Sequence, residues 1–171
     1  MRIVAGTHGG RRIAAPKGRD VRPTSDRVRE ALFSVLGARV HGARVLDLFA
    51  GTGALGLEAL SRGAAVAVFV DRDTTAVRAN LDALGFDADV HRRDALAYLR
   101  ATAARFDLVF LDPPYREARS LGPKLADTLP AVLAPGALVV SESDRRDPLD
   151  LPGLETLDER RYGDTLIRLH A

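Results

Sequence analysis

Apolar positions along the 171 residues follow two alternating rhythms, short unbroken runs and helical stripes. Val45 and Leu46, continued by Leu48 after Asp47, read as a buried strand, and Gly51 and Gly53 then punctuate a tight turn. Ala54, Leu55, Leu57, Glu58, Ala59 and Leu60 are strong helix formers with nothing to break them before Gly63. The alternation repeats down the chain. A second strand over residues 66–70 ends in Asp71, a helix over 74–84 is closed by Gly85, and a weaker strand over 87–91 leads into a helix over 94–103. Residues 106–111 form a fourth strand, almost continuously apolar, as a central parallel strand should be. A helix from about Ala118 carries Leu121, Leu125, Leu129, Val132 and Leu133 on one face, and residues 137–140 form a fifth strand after Pro135-Gly136. Two further strands between 154 and 169 close as a hairpin around Tyr162-Gly163-Asp164. Strands alternating with helices predict an α/β fold with a mostly parallel sheet and ligands at the carboxyl ends of its strands.

The first forty residues do not share this rhythm. Residues 2–5 and 12–15 are short β-prone runs joined by Gly6-Thr7-His8-Gly9-Gly10, which predicts a small hairpin. Pro16, Gly18 and Pro23 make 16–23 an irregular connector. Thr24 or Ser25 is then a candidate N-cap, with Asp26 in the first turn to suit the helix dipole. Val28, Ala31, Leu32, Val35 and Leu36 fall on one packing face, which leaves Arg27, Arg29 and Glu30 to face elsewhere. The expected division is a basic extension over 1–40 and one compact unit over 41–171.

Charge sharpens that division. Residues 1–44 carry ten Lys/Arg against three Asp/Glu, a net +7, whereas the remainder carries fifteen against twenty, a net −5. A short segment so basic suits a polyanion, because each neutralised phosphate releases counterions; a solvated charged face is the plain alternative. The chain has no cysteine, which removes disulfides, thiolate metal sites and sulfur nucleophiles together. His8, His41, His91 and His170 are scattered, with no i, i+4 pair, so no metal is expected. No run approaches the ~20 apolar residues of a membrane span, and the basic N-terminus lacks an apolar export stretch. A cytoplasmic monomer is the expectation.

Chemistry enters at the glycine turn. Gly51, Gly53 and Gly56 tolerate close approach of a ligand to the backbone, and the helix start offers free N–H groups. The same glycines fit G-x-G-x-x-G, and Asp71 lies 20 residues after Gly51, so a dinucleotide site is the first rival. Asp47 argues against it, since a carboxylate at the strand end would repel a pyrophosphate. A cofactor with an ammonium group, such as S-adenosylmethionine, suits Asp47 better. Asp47, Asp71 and Asp94 each end or follow a strand and converge on one crevice. Asp71 can accept from two ribose hydroxyls. Asp94 can accept from an adenine amine with the Ala95 N–H opposite a ring nitrogen, or act simply as a helix N-cap.

The fourth strand ends in Asp112-Pro113-Pro114-Tyr115. Two prolines fix φ and remove two backbone donors, so this loop presents carbonyls and a carboxylate in a rigid, acceptor-only array. Such an array wants N–H donors. A nucleobase with an exocyclic amine supplies them. Hydrogen bonds to Asp112 and the Pro113 carbonyl would direct the amine lone pair at an electrophilic methyl, while Tyr115 stacks on the ring.

With these residues in view the chain resembles the S-adenosylmethionine-dependent methyltransferases, and more closely the RsmD family of 16S ribosomal RNA guanine-N2 methyltransferases. The resemblance covers nearly the whole chain. It is carried by Gly9-Gly10-Arg11-Arg12, by Arg22-Pro23-Thr24 leading to Arg29-Glu30-Ala31-Leu32-Phe33, by Asp47-Leu48-Phe49-Ala50-Gly51-Thr52-Gly53 and by Asp112-Pro113-Pro114-Tyr115. It implies a Rossmann-like methyltransferase fold, with a mostly parallel seven-stranded sheet, a C-terminal antiparallel hairpin and a small N-terminal hairpin and helix. It also implies cofactor binding around Asp47, Phe49, Ala50, Gly51, Gly53, Asp71, Arg72, Asp94 and Ala95, and catalysis at Asp112, Pro113, Pro114 and Tyr115. RNA contacts are expected from Arg11, Arg12, Lys17, Arg22 and Thr24, the substrate being 16S rRNA within a small-subunit particle. Asp71 stands where relatives often carry Glu, which keeps the carboxylate and shortens its reach.

Competing readings share some of these features. A DNA adenine-N6 methyltransferase uses the same proline motif but needs an added recognition region for which no segment is long enough. A protein glutamine methyltransferase gives the basic head no purpose, and a nicotinamide oxidoreductase would use only the glycine turn and Asp71. A non-catalytic RNA-binding assembly factor would have no need of Asp112 and Tyr115.

Overall fold

The computed structural model describes residues 1–15 and 24–171. The expected connector over 16–23, and with it Lys17 and Arg22, lies outside the described residues. Seven strands form one sheet: β1 (Arg44–Leu48), β2 (Val66–Asp71), β3 (Asp89–Arg92), β4 (Phe106–Leu111), β5 (Leu133–Asp144), β6 (Thr156–Tyr162) and β7 (Thr165–His170). Their order is β3-β2-β1-β4-β5-β7-β6. The first five pair in parallel, and the terminal hairpin adds antiparallel to β5. The chain switches direction across the sheet between β1 and β4, and in such sheets the crevice above that point takes the ligand.

Period-two alternation divides each central strand between two cores. On one face Val45, Phe69, Phe110 and Val140 meet α1 (Asp26–Leu36), α2 (Ala54–Ser61) and α3 (Thr75–Leu84). On the other Leu46, Leu48, Val68, Val109 and Val139 meet α4 (Ala95–Ala101) and α5 (Ala118–Thr128). Covered on both sides, the central strands carry no exposed polar face, which is why they read as continuous apolar runs. Among the described residues no helix is long and apolar enough to cross a membrane.

The N-terminal hairpin is narrow, a single bridge between Arg2 and Arg12 flanked by Ile3 N–H to Arg11 O at 2.8 Å and Ile13 N–H to Met1 O at 3.0 Å. It goes no further because the next donors are taken elsewhere: Val4 and Ala5 give their N–H groups to the Glu58 carboxylate at 2.7 and 3.0 Å. Ile3 and Ile13 are buried in the same core as Val45 and Phe110, so this segment is packed into the domain.

Two expectations are corrected. Arg29 does not face outward. The buried stripe of α1 is Arg29, Leu32, Phe33 and Leu36 with Val28, displaced from the expected face toward a carboxylate the local pattern cannot see. Arg29 Nη2 donates to Asp26 Oδ1 and to the Arg2 carbonyl at 2.5 Å, and Nη1 lies 3.8 Å from Glu58. The fifth strand is also far longer than residues 137–140. It takes in Leu133, expected on a helix face, passes through Pro135-Gly136 and continues to Asp144. Ser141, Glu142 and Ser143 are therefore buried strand residues rather than loop.

Candidate active site

Above the carboxyl ends of β1, β2 and β4 opens a cavity of about 720 Å³. Its floor is the glycine turn. Phe49 has φ +62°, the only positive φ outside glycine among the described residues, and Gly51 and Gly53 follow at +55° and +80°. A bulky aromatic held in the left-handed region is strained by ~1–3 kcal/mol, and such strain collects where backbone must meet a ligand. Phe49, Ala50 and Gly51 line the cavity, whereas Gly53 does not. Gly53 caps α2 behind the floor, where a Cβ would lie 2.6 Å from Val77 Cγ2. At Gly56 a Cβ would come closer still, 2.3 Å from Phe69 Cε1. The third glycine of the motif is thus a packing requirement between helix and sheet.

Asp47 is 2% exposed yet reaches the cavity wall. Its Oδ2 accepts the Gly56 N–H at 2.9 Å. Burial, and secondarily the charge of Asp71, push its carboxyl up to about 7 against the pull of that hydrogen bond. A cationic ligand group beside it would reverse this. Asp71 is tied by both oxygens, to Gly51 N at 2.8 Å and Asp73 N at 3.0 Å. Each oxygen keeps a lone pair for a ligand hydroxyl. Asp94 is corrected in position: it caps α4 through Ala97 N at 3.0 Å, takes Arg72 Nη2 at 2.9 Å and does not line the cavity. Of the adenine-binding pair proposed from sequence, only Ala95 reaches the wall, beside Arg72.

The opposite wall is Asp112, Pro113, Pro114 and Tyr115. Pro114 sits at φ −53°, ψ 133°, its φ fixed by the ring, and Tyr115 is half-buried at the start of a 3₁₀ turn. β4 and β5 pair Leu111 with Ser141, so the next residues, Asp112 and Glu142, are neighbours on one sheet face. Burial raises both carboxyls, and the charge of Glu142, with that of Asp47 adding less, raises Asp112 further. The Thr24 hydroxyl and then Arg29 draw Glu142 part of the way back. Glu142 was absent from the sequence-derived site because a Ser-Glu-Ser triplet does not look like strand. Its signal was position, one residue beyond the apolar run on a strand adjoining the proline motif.

Of the basic residues expected to hold RNA, the described Arg11 and Arg12 do not line this cavity, whose arginines are Arg72, Arg93 and Arg116. Thr24 lines it. Arg11 instead donates to Ala83 O at 2.6 Å, at the C-terminal end of α3. Because α3 runs back against the strands, Arg11 lies near the far edge of the sheet, a ten-residue helix away, or ~15 Å. Arg12 is exposed beside it in the bridge with Arg2. Among the described residues no group of three or more His, Cys, Asp or Glu is arranged to hold a metal ion.

Comparison with known proteins adds to this geometry. The model of the family described as Conserved hypothetical protein 95 matches residues 1–171. YlbH of Bacillus subtilis is 41% identical over 89% of this chain and 86% of its own length. Ribosomal RNA small subunit methyltransferase D of Haemophilus influenzae is 35% identical over 99% of this chain and 93% of its own. Among solved structures, yhhF from Escherichia coli superposes with a TM-score of 0.84 at 36% identity, covering 99% of this chain and 96% of that one.

Proposed function

The chain belongs to the RsmD family, the ribosomal RNA small subunit methyltransferases D, and from that premise we propose that it methylates the exocyclic N2 amine of a guanine in 16S rRNA of the small subunit, with S-adenosylmethionine as donor. The observation that carries the reading is one continuous cavity with a donor-shaped floor and an amine-accepting wall. The floor offers Asp47 for an ammonium group and Asp71 for a ribose diol. The wall offers Asp112 and the Pro113 carbonyl, with no backbone donor from either proline.

S-adenosylmethionine supplies, when bound, a methyl group made electrophilic by its attachment to sulfur. Asp112 and the Pro113 carbonyl accept the two amine hydrogens, which leaves the nitrogen lone pair free to point across the cavity. Tyr115 holds the base plane, a contact worth ~1–3 kcal/mol. S-adenosylmethionine held against Asp47 and Asp71 would give up the methyl and keep the carbon–sulfur electron pair, and the amine nitrogen that receives the methyl becomes cationic. The proton then leaves to the Asp112 carboxylate or to water. Catalysis comes mainly from orientation, and the target base must leave its stack to enter. Thr24 contacts the base side of the cavity, while Arg11 and Arg12 grip phosphates away from it.

The test is transfer of tritiated methyl to small-subunit particles and to naked RNA from a strain lacking this protein, followed by mass mapping of the modified base. One guanine gaining a single methyl on N2 is the expected result. Label on an adenine amine or on DNA, or no transfer to either substrate, would refute it.

A further inference from the structure

The array of Asp112 and the Pro113 carbonyl accepts any exocyclic amine, so it cannot by itself tell guanine from adenine. The two bases differ at the adjacent ring nitrogen. In guanine N1 carries a hydrogen next to the N2 amine, whereas in adenine N1 carries a lone pair next to the N6 amine. A second group on the cavity wall must read that atom.

Thr24 is such a group. It lines the cavity, and its hydroxyl proton is already committed, donated to Glu142 Oε2 at 2.5 Å. Glu142 is 3% exposed and adjoins Asp112 across the β4–β5 pairing. A hydroxyl has one donor and two acceptor sites. With the proton turned inward, Thr24 has only lone pairs to offer a ligand. Burial raises Glu142, and the Thr24 hydrogen bond and then the buried Arg29 cation draw it back toward the carboxylate form that keeps this polarity.

Taking the guanine-N2 reading as its basis, we propose that the Thr24–Glu142 pair determines base specificity, with Thr24 Oγ accepting the ring N1–H beside the reacting amine. A base with a lone pair at that position meets another lone pair in a desolvated site and loses the hydrogen bond. Sites built to receive a hydrogen bond reject analogues that lack it far more strongly than apolar pockets reject a missing methylene. Thr24 is thereby a positioning residue that touches the base, and Glu142 acts through it.

The probe is 2-aminopurine, which keeps the N2 amine but has no hydrogen on N1. Small-subunit particles are reconstituted around rRNA carrying either guanine or 2-aminopurine at the mapped position, and kcat/KM is measured for each. The wild type favours guanine tenfold or more. T24V, which keeps the shape and removes the hydroxyl, brings the two within about threefold, while T24S retains the preference. E142L, which frees the hydroxyl proton to turn outward, lowers the preference as well and serves if T24V does not fold. An undiminished preference in T24V or E142L overturns the proposal, as does its loss in T24S. Failure of the wild type to methylate the guanine particles overturns the functional reading and the proposal together, whereas normal guanine methylation with an unchanged ratio removes only the proposal.

Discussion

Asp47→Asn should make the protein more stable and a poorer binder at once. The carboxyl is 2% exposed with no cation beside it, and its titration lies at about 7 instead of the ordinary 3.8. Each unit is 1.36 kcal/mol, so keeping Asp47 ionised above pH 7 costs the empty fold about 4 kcal/mol. The sign follows from proton counting. Between the two values the unfolded chain has already lost this proton while the folded chain holds it, so stability from this group is present at low pH and is lost as pH rises toward 7. Asparagine keeps an oxygen for the Gly56 N–H and removes the charge. The stability difference between D47N and wild type, from urea melts of the ligand-free proteins, should be about 2–3 kcal/mol larger at pH 8 than at pH 5. The same change removes the partner of the donor's ammonium group, a charged hydrogen bond worth about 1.5–3 kcal/mol. Calorimetric titration with S-adenosylmethionine should therefore show a ten- to hundredfold weaker Kd. Wild-type binding should release a proton from Asp47 below pH 7, read as a dependence of the heat on buffer ionisation, and D47N should not. A stability difference that does not change with pH, or unchanged donor affinity, would refute the account of Asp47.

Two further outcomes follow from the opposite wall and the basic segment. Asp112→Ala should reduce methyl transfer by a thousandfold or more while the donor Kd, measured by calorimetry, moves less than threefold; turnover within a few-fold of wild type would remove Asp112 from its role. R11E/R12E should weaken RNA binding and flatten the slope of log Kd against log salt by up to about two, with the donor Kd unchanged, because Arg11 sits at the far end of α3. A slope equal to that of the wild type in filter-binding assays would place the RNA elsewhere.

The sheet was legible because its central strands are covered on both faces and so declare themselves as apolar runs. The proline motif was legible because Pro113 and Pro114 constrain the backbone wherever they occur. What stayed hidden were charged residues whose burial depends on distant partners. Arg29 looks like a solvent-facing position until Glu58, on another helix, is brought within 3.8 Å. Glu142 looks like a loop residue until β4 and β7 flank it and Thr24 reaches across to it. Asp94 shows the reverse. Its residue type suited a ligand contact, but the Ala97 N–H and the Arg72 guanidinium hold it as the cap of α4, outside the lining of the cavity. Periodicity reports which side of an element is dry, and says nothing about which charges share the dry space.

Glu58 makes one part of the protein inseparable from another. A single carboxylate receives Val4 N–H, Ala5 N–H and Arg62 Nε, with Arg29 alongside, and the helix that carries it springs from Gly53, just behind the cavity floor. The basic leader and the methyl-donor compartment thus share a common girder. A replacement leader that does not bring backbone N–H groups to the places of Val4 and Ala5 would take two hydrogen bonds from a buried carboxylate, leave it to Arg62 and Arg29, and loosen the compartment as well, so the segment can be refashioned through side chains on its outer surface but not by grafting a different one.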